Sequence, residues 1–266
     1  MNTAPAPPAP ISSLLATAKQ AAEEAGKAIL EIYETADFGV EAKADNSPLT
    51  KADTAAHHLI AQALSATGLP LLSEEGKEIP LEERKNWPFY WLVDPLDGTK
   101  EFIKRNGEFT VNIALMQHNI PVAGVVYAPC HKVLYYGSKG TGVFKETPAG
   151  TTLLTPLPQK ESLASLLQKP EVRVIASRSH QTEETATFVR QFQNPMFSSM
   201  GSSLKFMLLA EGKADVYPRF APTMEWDTAA SHALLNALNR SIYGTDLSQE
   251  LVYNKPNLQN PSFVSF

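Results

Sequence analysis

The sequence predicts an α/β protein of mixed α+β character, in which helices pack against sheets. Near the start, apolar residues recur at alternating steps of three and four, which is typical of an amphipathic helix; they are Leu14, Ala18, Ala22, Ala25, Ile29 and Ile32. Between residues 109 and 136, three apolar runs separated by turn residues predict successive antiparallel strands. From residue 172 onward, strand-like and helix-like segments alternate, as expected for helices that cover a sheet.

Composition and charge exclude some classes of protein. The chain has 266 residues, of which 43% are hydrophobic and 19% charged, as in ordinary globular proteins. A net charge of −5 argues against broad nucleic-acid binding, although a local basic pocket can still take a small phosphorylated ligand. The single cysteine, Cys130, cannot form an internal disulfide, which fits a reducing compartment such as the cytoplasm. No apolar run approaches the ~20 residues that a membrane-spanning helix needs.

The elements of the first half follow from local signals. Residues 1–10, rich in Ala and Pro, predict a flexible arm, and Ser12 or Ser13 can cap the first helix. The remaining predictions of this half are a short strand at 40–43, a helix opening at 49–53 and ending near 66, a strand entering at 71–72, a mobile connector at 78–86, and a buried strand at 87–93.

The second half begins after a hairpin region. Residues 137–142 predict a turn and not a phosphate loop, because no helix follows their glycines. The Pro- and Leu-rich stretch 147–169 predicts a crossing between two halves, 11–150 and 151–266. After it we predict strands at 172–176, 196–199 and 214–217, and helices at 183–192, 204–211 and 228–238.

The chemically most informative stretch runs from Asp94 to Thr99, with the sequence Asp-Pro-Leu-Asp-Gly-Thr. We expect Asp94 to stand where the buried strand leaves the sheet, and Gly98 to allow a sharp turn after Asp97. Two carboxylates around one turn repel each other unless a cation neutralises them, and oxygen ligands are those that Mg²⁺ prefers. A solvated turn is the alternative. Leu71-Leu72-Ser73-Glu74-Glu75 repeats the pattern of an apolar run followed by carboxylates.

This motif resembles the signature of the inositol monophosphatase superfamily of Mg²⁺-dependent, lithium-sensitive phosphatases. Lys100-Glu101-Phe102, which follows it, resembles the 3'(2'),5'-bisphosphate nucleotidase branch (CysQ type). The resemblance covers nearly the whole chain, including Glu225-Trp226-Asp227-Thr228-Ala229-Ala230 and the closing Asn260-Pro261-Ser262-Phe263. It implies a layered α-β-α-β-α sandwich.

The resemblance also implies roles for particular residues. It assigns two or three Mg²⁺ ions to the side chains of Glu74, Asp94, Asp97 and Asp227 and to the carbonyl of Leu96. Thr99, backed by Asp53, and Glu74 would orient and deprotonate the attacking water. Local sequence alone offers simpler explanations: Asp53 suits the positive end of a helix, and Asp227 resembles a helix N-cap.

The substrate side is assigned in the same way. The residues expected to contact substrate are Gly98, Thr99, Lys100, Ser177, Arg178, Ser179, His180, Ser202, Lys205, Arg219 and Asp227. The local alternatives are a polar loop for residues 177–180 and a plain N-cap for Ser202. Free amides at the helix that follows Gly201-Ser202-Ser203 would form an anion site.

The function that the resemblance implies is hydrolysis of 3'-phosphoadenosine 5'-phosphate to AMP and phosphate, in sulfate assimilation. Two alternatives stay open: an inositol- or sugar-phosphate phosphatase on the same fold, and a non-enzymatic nucleotide-binding module. We expect a small-molecule nucleotide and no nucleic acid as partner, a monomer or homodimer, and a cytoplasmic location with possible peripheral association with the inner face of the cell membrane.

Overall fold

A computed structural model describes residues 6–35, 38–42, 48–176 and 182–266. Its helices are α1 Ile11–Tyr33, α2 Lys51–Ser65, α3 Leu81–Arg84, α4 Thr99–Ile103, α5 Leu163–Leu167, α6 Glu183–Val189, α7 Leu204–Ala210 and α8 Glu225–Ala237, with a 3-10 turn at Pro129–His131. Its strands are β1 Glu41–Ala42, β2 Pro48–Leu49, β3 Leu71–Ser73, β4 Phe89–Asp97, β5 Thr110–Gln117, β6 Ile120–Ala128, β7 Val133–Ser138, β8 Gly142–Thr147, β9 Gly150–Leu153, β10 Val172–Ala176, β11 Pro195–Ser199, β12 Tyr217–Arg219, β13 Ile242–Gly244 and β14 Phe263–Ser265.

The larger sheet contains seven strands, β3 to β9, in chain order. β3 and β4 are parallel, and each later pair is antiparallel. Because side chains alternate across a strand, β4 serves two cores. Trp91 and Val93 pack with α1 and α2 on one face, whereas Tyr90 and Leu92 pack with α7 and α8 on the other.

A second sheet layer lies beyond α7 and α8. β10 and β11 are parallel, β12, β14 and β13 form an antiparallel group, and a bridge between Val174 and Val216 joins the two parts. Ile175 faces the core shared with α7 and α8, whereas Val172 and Val174 pack with residues of α5 and α6. The order of layers is therefore α-β-α-β-α, and the predicted fold is confirmed.

Helix α8 lies very close to the larger sheet at Gly124 of β6. A Cβ atom added to Gly124 would stand 2.2 Å from the carbonyl oxygen of Ala230. Such a distance is far inside van der Waals contact, so only glycine allows the helix backbone to approach the strand in this way. This contact fixes the height of α8, whose first turn carries Asp227, above the sheet.

Two predictions, one about β4 and one about the segment that precedes it, are wrong. The strand does not end at Val93 but continues to Asp97, with Asp94 paired to Asn112 and an irregularity in register between Asp94 and Asp97. Residues 78–86 are not a mobile loop, because α3 forms there around a buried Arg84. Arg84 donates hydrogen bonds to Asn254 Oδ1 at 2.6 Å and to the Lys255 carbonyl at 2.7 Å, which anchors the segment.

Several predicted boundaries also shift. Helix α1 begins after Pro10, without a side-chain cap from Ser12 or Ser13, because Pro10 lacks an amide hydrogen and suits this position. The stretch 147–169 contains β9 and α5 and is not only a crossing. The strand predicted at 214–217 begins at Tyr217, since Val216 forms a single bridge, and α8 begins at Glu225 and not at Thr228.

Some predictions lie partly beyond what the structure describes. Residues 1–5 of the expected arm are outside the described residues, whereas Ala9 packs against the core around α1. The division into two halves stays a prediction, and its boundary falls at the first residue of β9. Among the described residues, no helix is both long and apolar enough to cross a membrane.

Candidate active site

The ends of two parallel strands bring Glu74 and Asp94 together. Ser73 pairs with Val93, so Glu74 follows β3 where Asp94 continues β4, and the Glu74 amide donates to the Val93 carbonyl at 3.1 Å. Asp94 is 2% exposed and is hydrogen-bonded to the Glu74 side chain. Burial raises the pKa of Asp94 well above its ordinary value, and the charges of Glu74 and Asp97 add to the rise.

The turn after β4 holds the second carboxylate. Gly98 has a φ of 95°, in the left-handed region that glycine adopts without strain, and it starts α4. The Leu96 amide donates to Asp94 Oδ1 at 3.0 Å, which fixes the bend. The Leu96 carbonyl accepts a long contact of 3.4 Å from Thr99 Oγ1, so it points toward the threonine hydroxyl.

Thr99 is held by Asp53 from the start of α2. Its hydroxyl donates to Asp53 Oδ1 at 3.1 Å, while Asp53 Oδ2 accepts from the Thr50 amide at 2.8 Å and from the Thr50 hydroxyl at 2.5 Å. Asp53 therefore closes a capping box on α2 and also contacts Thr99. Burial raises the pKa of Asp53, whereas the hydrogen bonds from Thr50 lower it.

Asp227 approaches from the first turn of α8. It is not the N-cap, as the local sequence suggests, but the third helical residue, because the helix starts earlier at Glu225. Its Oδ2 accepts from the Met224 amide at 2.9 Å, so it still satisfies a free amide at the helix start. Burial, followed by the charge of Asp97, raises the pKa of Asp227 well above its ordinary value.

Asp97 is bound to the loop before α7. Its Oδ2 accepts from the Ser202 hydroxyl at 2.7 Å, the Ser203 amide at 2.7 Å and the Ser203 hydroxyl at 2.8 Å. Asn112 supports the same group, with Nδ2 donating to Ser203 Oγ at 2.8 Å. Thr110 Oγ1 lies 2.5 Å from Ser202 Oγ. The larger sheet and the loop are thus joined through the Asp97 carboxylate and through the side chains of Thr110 and Asn112.

This arrangement corrects the expected anion site at residues 201–203. Ser203, not Ser202, occupies the N-cap position, without a side-chain cap, and Ser202 has a φ of 52°. The amides of Gly201 and Ser203 donate to Glu108 Oε2 and Asp97 Oδ2, both at 2.7 Å. The protein's own carboxylates therefore occupy these two amides, and α7 has only seven residues.

A cavity of about 120 Å³ lies between Asp97, Asp227 and the basic residues of the second half. Lys205 and Arg219 line it, together with Gly98, Glu101 and Tyr217. Lys205 is 8% exposed, and its Nζ donates to the Met200 carbonyl at 3.2 Å. Burial lowers its pKa to about 8, partly offset by the charge of Asp97.

Arg219 brings an incompletely satisfied guanidinium to the cavity. One of its terminal nitrogens donates to the Pro222 carbonyl at 3.3 Å. Its Nε is buried and has no hydrogen-bond partner among the described residues. A buried donor without an acceptor is costly, and the guanidinium that carries it lines the cavity, where an anion would balance its charge.

The structure does not bring all the predicted residues together. Lys100 is exposed on α4 and does not line the cavity. Ser177, Arg178, Ser179 and His180 lie outside the described residues. Within the described part of the chain, no group of three or more His, Cys, Asp or Glu side chains could hold a metal ion. The role of the four carboxylates as one ligand set therefore stays a prediction.

Sequence reasoning missed the residues that support Asp97. Thr110 and Asn112 come from β5, which pairs with β4, and Ser203 comes from the loop before α7. A polar Thr-x-Asn inside an otherwise apolar strand is the signal that could have revealed them. Glu108, which accepts from the Gly201 amide, carries no comparable signal.

The comparison with protein families decides the membership of this chain. The model of the inositol monophosphatase family matches residues 11–261. The chain belongs to the inositol monophosphatase family. The match includes the larger sheet and all the carboxylates described above.

Related members of the inositol monophosphatase family agree with this assignment. The 3'(2'),5'-bisphosphate nucleotidase CysQ of Shigella flexneri is 46% identical over 230 residues, which cover 84% of this chain and 87% of the relative. The crystal structure of CysQ from Bacteroides thetaiotaomicron is 46% identical, with a TM-score of 0.80 over 95% of this chain and 96% of that one. Inositol monophosphatase-II from Staphylococcus aureus MSSA476 is only 22% identical, with a TM-score of 0.74 over 95% and 90% of the two chains, and shows the fold alone.

Proposed function

We propose that this protein is a Mg²⁺-dependent phosphatase that hydrolyses 3'-phosphoadenosine 5'-phosphate to AMP and phosphate. One observation carries the proposal: a single cavity is lined both by carboxylates, Asp97 and Asp227, which we call its acidic wall, and by cations, Lys205 and Arg219, which we call its basic wall. A substrate with two phosphates can contact both groups. The nucleotidase relatives support the same substrate class.

The residues on the acidic wall fit a hard divalent cation. Asp94 is buried next to the charges of Glu74, Asp97 and Asp227, and such a group needs a positive partner when it is ionised. Glu74, Asp94, Asp97, Asp227 and the Leu96 carbonyl would hold two or three Mg²⁺ ions. When bound, these ions would neutralise phosphate charge and lower the pKa of a water. Among the described residues, Asp97 Oδ1 accepts no hydrogen bond, which leaves one oxygen for this role.

Thr99, Asp53 and Glu74 are proposed to prepare the water. The Thr99 hydroxyl donates its hydrogen to Asp53, so its oxygen can accept a hydrogen from a water on the cavity side. Glu74 lies beside Asp94 and can receive the proton that the water loses. The alcohol then leaves in line with the incoming oxygen, and positioning together with charge neutralisation supplies the catalysis.

Lys205 and Arg219 are proposed to hold the phosphate that is not cleaved. Both line the cavity that Asp97 and Asp227 also line, and the Arg219 side chain has only a 3.3 Å contact, to the Pro222 carbonyl, among the described residues. Gly98, Thr99, Ser202 and the exposed Lys100 would contact the remainder of the substrate. Residues 177–180, which lie outside the described residues, are proposed to contact the nucleotide from their sequence alone.

Phosphate release from two substrates tests the proposal. At saturating Mg²⁺, the bisphosphate nucleotide should be hydrolysed at least about a hundredfold more efficiently than inositol 1-phosphate, since only the former reaches both walls. A preference for inositol 1-phosphate would make the chain an inositol phosphatase of the same family. Nucleotide binding without phosphate release would make it a binding module.

We also propose a cytoplasmic location and a monomeric or homodimeric state. The single cysteine supports a reducing compartment. Association with the inner face of the cell membrane would be peripheral. Fractionation of cells that produce the chain, followed by size measurement of the purified protein, tests the three points. Recovery of the protein outside the cytoplasm would contradict the first.

A further inference from the structure

We propose that a second anion site, which takes an oxyanion such as phosphate, lies around Arg240 at the far end of α8 from the catalytic cavity. Arg240 follows α8 and is only 4% exposed. Its guanidinium forms no ion pair or hydrogen bond with any described residue, and its Nη1 is out of contact with water. A buried charged donor without an acceptor is strongly disfavoured, so this group points to a ligand.

The neighbouring cations differ from Arg240 because each has an acidic partner. Arg173 binds Asp215 through two nitrogens, at 2.9 Å and 2.8 Å. Lys169 binds Glu161 at 2.7 Å. Lys160, at the edge of the group, binds Glu250 at 2.5 Å. Arg240 is therefore the cation of this group whose charge is left without a paired carboxylate among the described residues.

These side chains surround a cavity of about 480 Å³. Its walls carry four cations, Lys160, Lys169, Arg173 and Arg240, against two carboxylates, Glu161 and Asp215. Because Glu250, outside the cavity, pairs with Lys160, the excess is the single positive charge of Arg240. It lies in a protein whose net charge is −5, so it is a local feature. The volume is in the range of small-molecule sites and exceeds that of the catalytic cavity.

The chemistry of the group favours an oxyanion over water. A water molecule can accept one hydrogen bond from Arg240 but does not balance its charge. A guanidinium offers a planar fork of donors that matches two oxygens of one oxyanion. Phosphate supplies both these acceptor oxygens and the negative charge that Arg240 lacks.

The proposed site is separate from the proposed active site. Asp227 lies ten positions before the last residue of α8, which corresponds to about 15 Å along the helix axis, and Arg240 follows the end of the helix. Lys205 and Arg219 do not line the cavity around Arg240, and Arg240 does not line the catalytic one. The inference therefore does not rest on the nucleotidase assignment.

The test uses inorganic phosphate as the probe, at constant ionic strength and with EDTA. Isothermal titration should detect two sites in the full chain, of which Lys205→Met weakens the catalytic one. In that Lys205→Met background, Arg240→Met should weaken the remaining site at least tenfold, whereas Lys139→Met, which removes an exposed cation from another surface, should leave it unchanged. Equal binding by the Arg240→Met and Lys139→Met variants would overturn the proposal.

A second measurement guards against misfolding. Arg240→Lys keeps a charge at this position and should retain measurable phosphate binding if Arg240→Met does not fold. Crystals of the full chain soaked in phosphate should show the ion within hydrogen-bond distance of the Arg240 guanidinium. A water molecule at that position at millimolar phosphate, with no tetrahedral density, would overturn the inference by itself.

Discussion

The low pKa of Lys205 predicts a pH dependence that only the two-phosphate substrate should show. Burial lowers this pKa to about 8, so the ammonium loses its proton within the range in which the enzyme can be assayed. A hydrogen bond between a charged donor and a phosphate contributes about 1.5–3 kcal/mol. Its complete loss corresponds to a fall in kcat/KM of about tenfold to a hundredfold.

The assay is kcat/KM from pH 6.5 to 9.5, which reports the pKa of the free enzyme. For 3'-phosphoadenosine 5'-phosphate, kcat/KM should fall about three- to fivefold between pH 8 and 9, as the protonated fraction of Lys205 falls, and then level at the limit given above. For a nucleoside monophosphate it should stay nearly constant. The kcat/KM of Lys205→Ala for 3'-phosphoadenosine 5'-phosphate should be low at every pH. In Lys205→Arg, kcat/KM should no longer fall with pH, because arginine keeps its charge throughout the assayed range.

The pH dependence of folding stability should not follow the same profile as that of kcat/KM. The pKa of Lys205 in the folded protein, about 8, lies below its ordinary value of 10.5. Between these values the unfolded chain binds more protons, so this group makes the free energy of unfolding rise as the pH increases. An equal loss of activity on both substrates in Lys205→Ala would refute the reasoning, because Lys205 would then support the fold or the metal ligands.

Three further predictions address the acidic wall and its support. Asp94→Asn and Asp97→Asn should each lower turnover at least about a hundredfold. Asp94→Asn should also raise the melting temperature of the metal-free protein, because it removes a buried charge among other acids. Normal turnover of both variants at low Mg²⁺ would exclude the proposed metal site. Lithium at fixed Mg²⁺ should slow phosphate release progressively, as the family resemblance implies, and a flat series would count against this. Tyr253→Phe should lower the free energy of unfolding by about 1–3 kcal/mol. The reason is that the buried Tyr253 hydroxyl is hydrogen-bonded to His232 Nδ1 at 2.9 Å and to Thr228 Oγ1 at 3.2 Å. An unchanged midpoint of urea unfolding would contradict this prediction.

Local sequence predicted the elements that depend on local patterns. The amphipathic spacing of α1, the Thr50-x-x-Asp53 start of α2 and the antiparallel run from β5 to β7 all appear in the structure. The family resemblance added the order of the layers. These features succeed because each depends on residues within a few positions of one another.

The remaining features depend on contacts between distant parts of the chain. The segment around Arg84 was predicted to be mobile, but it is ordered by acceptors at Asn254 and Lys255, about 170 positions later. The prediction of free amides near Ser203 was wrong for the same reason, since the carboxylate that occupies one of them is Asp97. Pairings of this kind follow from tertiary packing and have no signature in a short stretch.

The contact at Gly124 divides the proposed active site into a fixed part and an adjustable part. Because the backbone of α8 rests directly on β6 there, Asp227 and the strand that carries Asp94 belong to one rigid block. The segment before α7 reaches this block through hydrogen bonds of Ser202 and Ser203, mainly to Asp97 and to the side chains of Thr110 and Asn112, and such bonds can exchange for others without unfolding. Opening of the cavity should accordingly fall to the segment before α7, and amide hydrogens at Ser203 should exchange faster than those at Ala230.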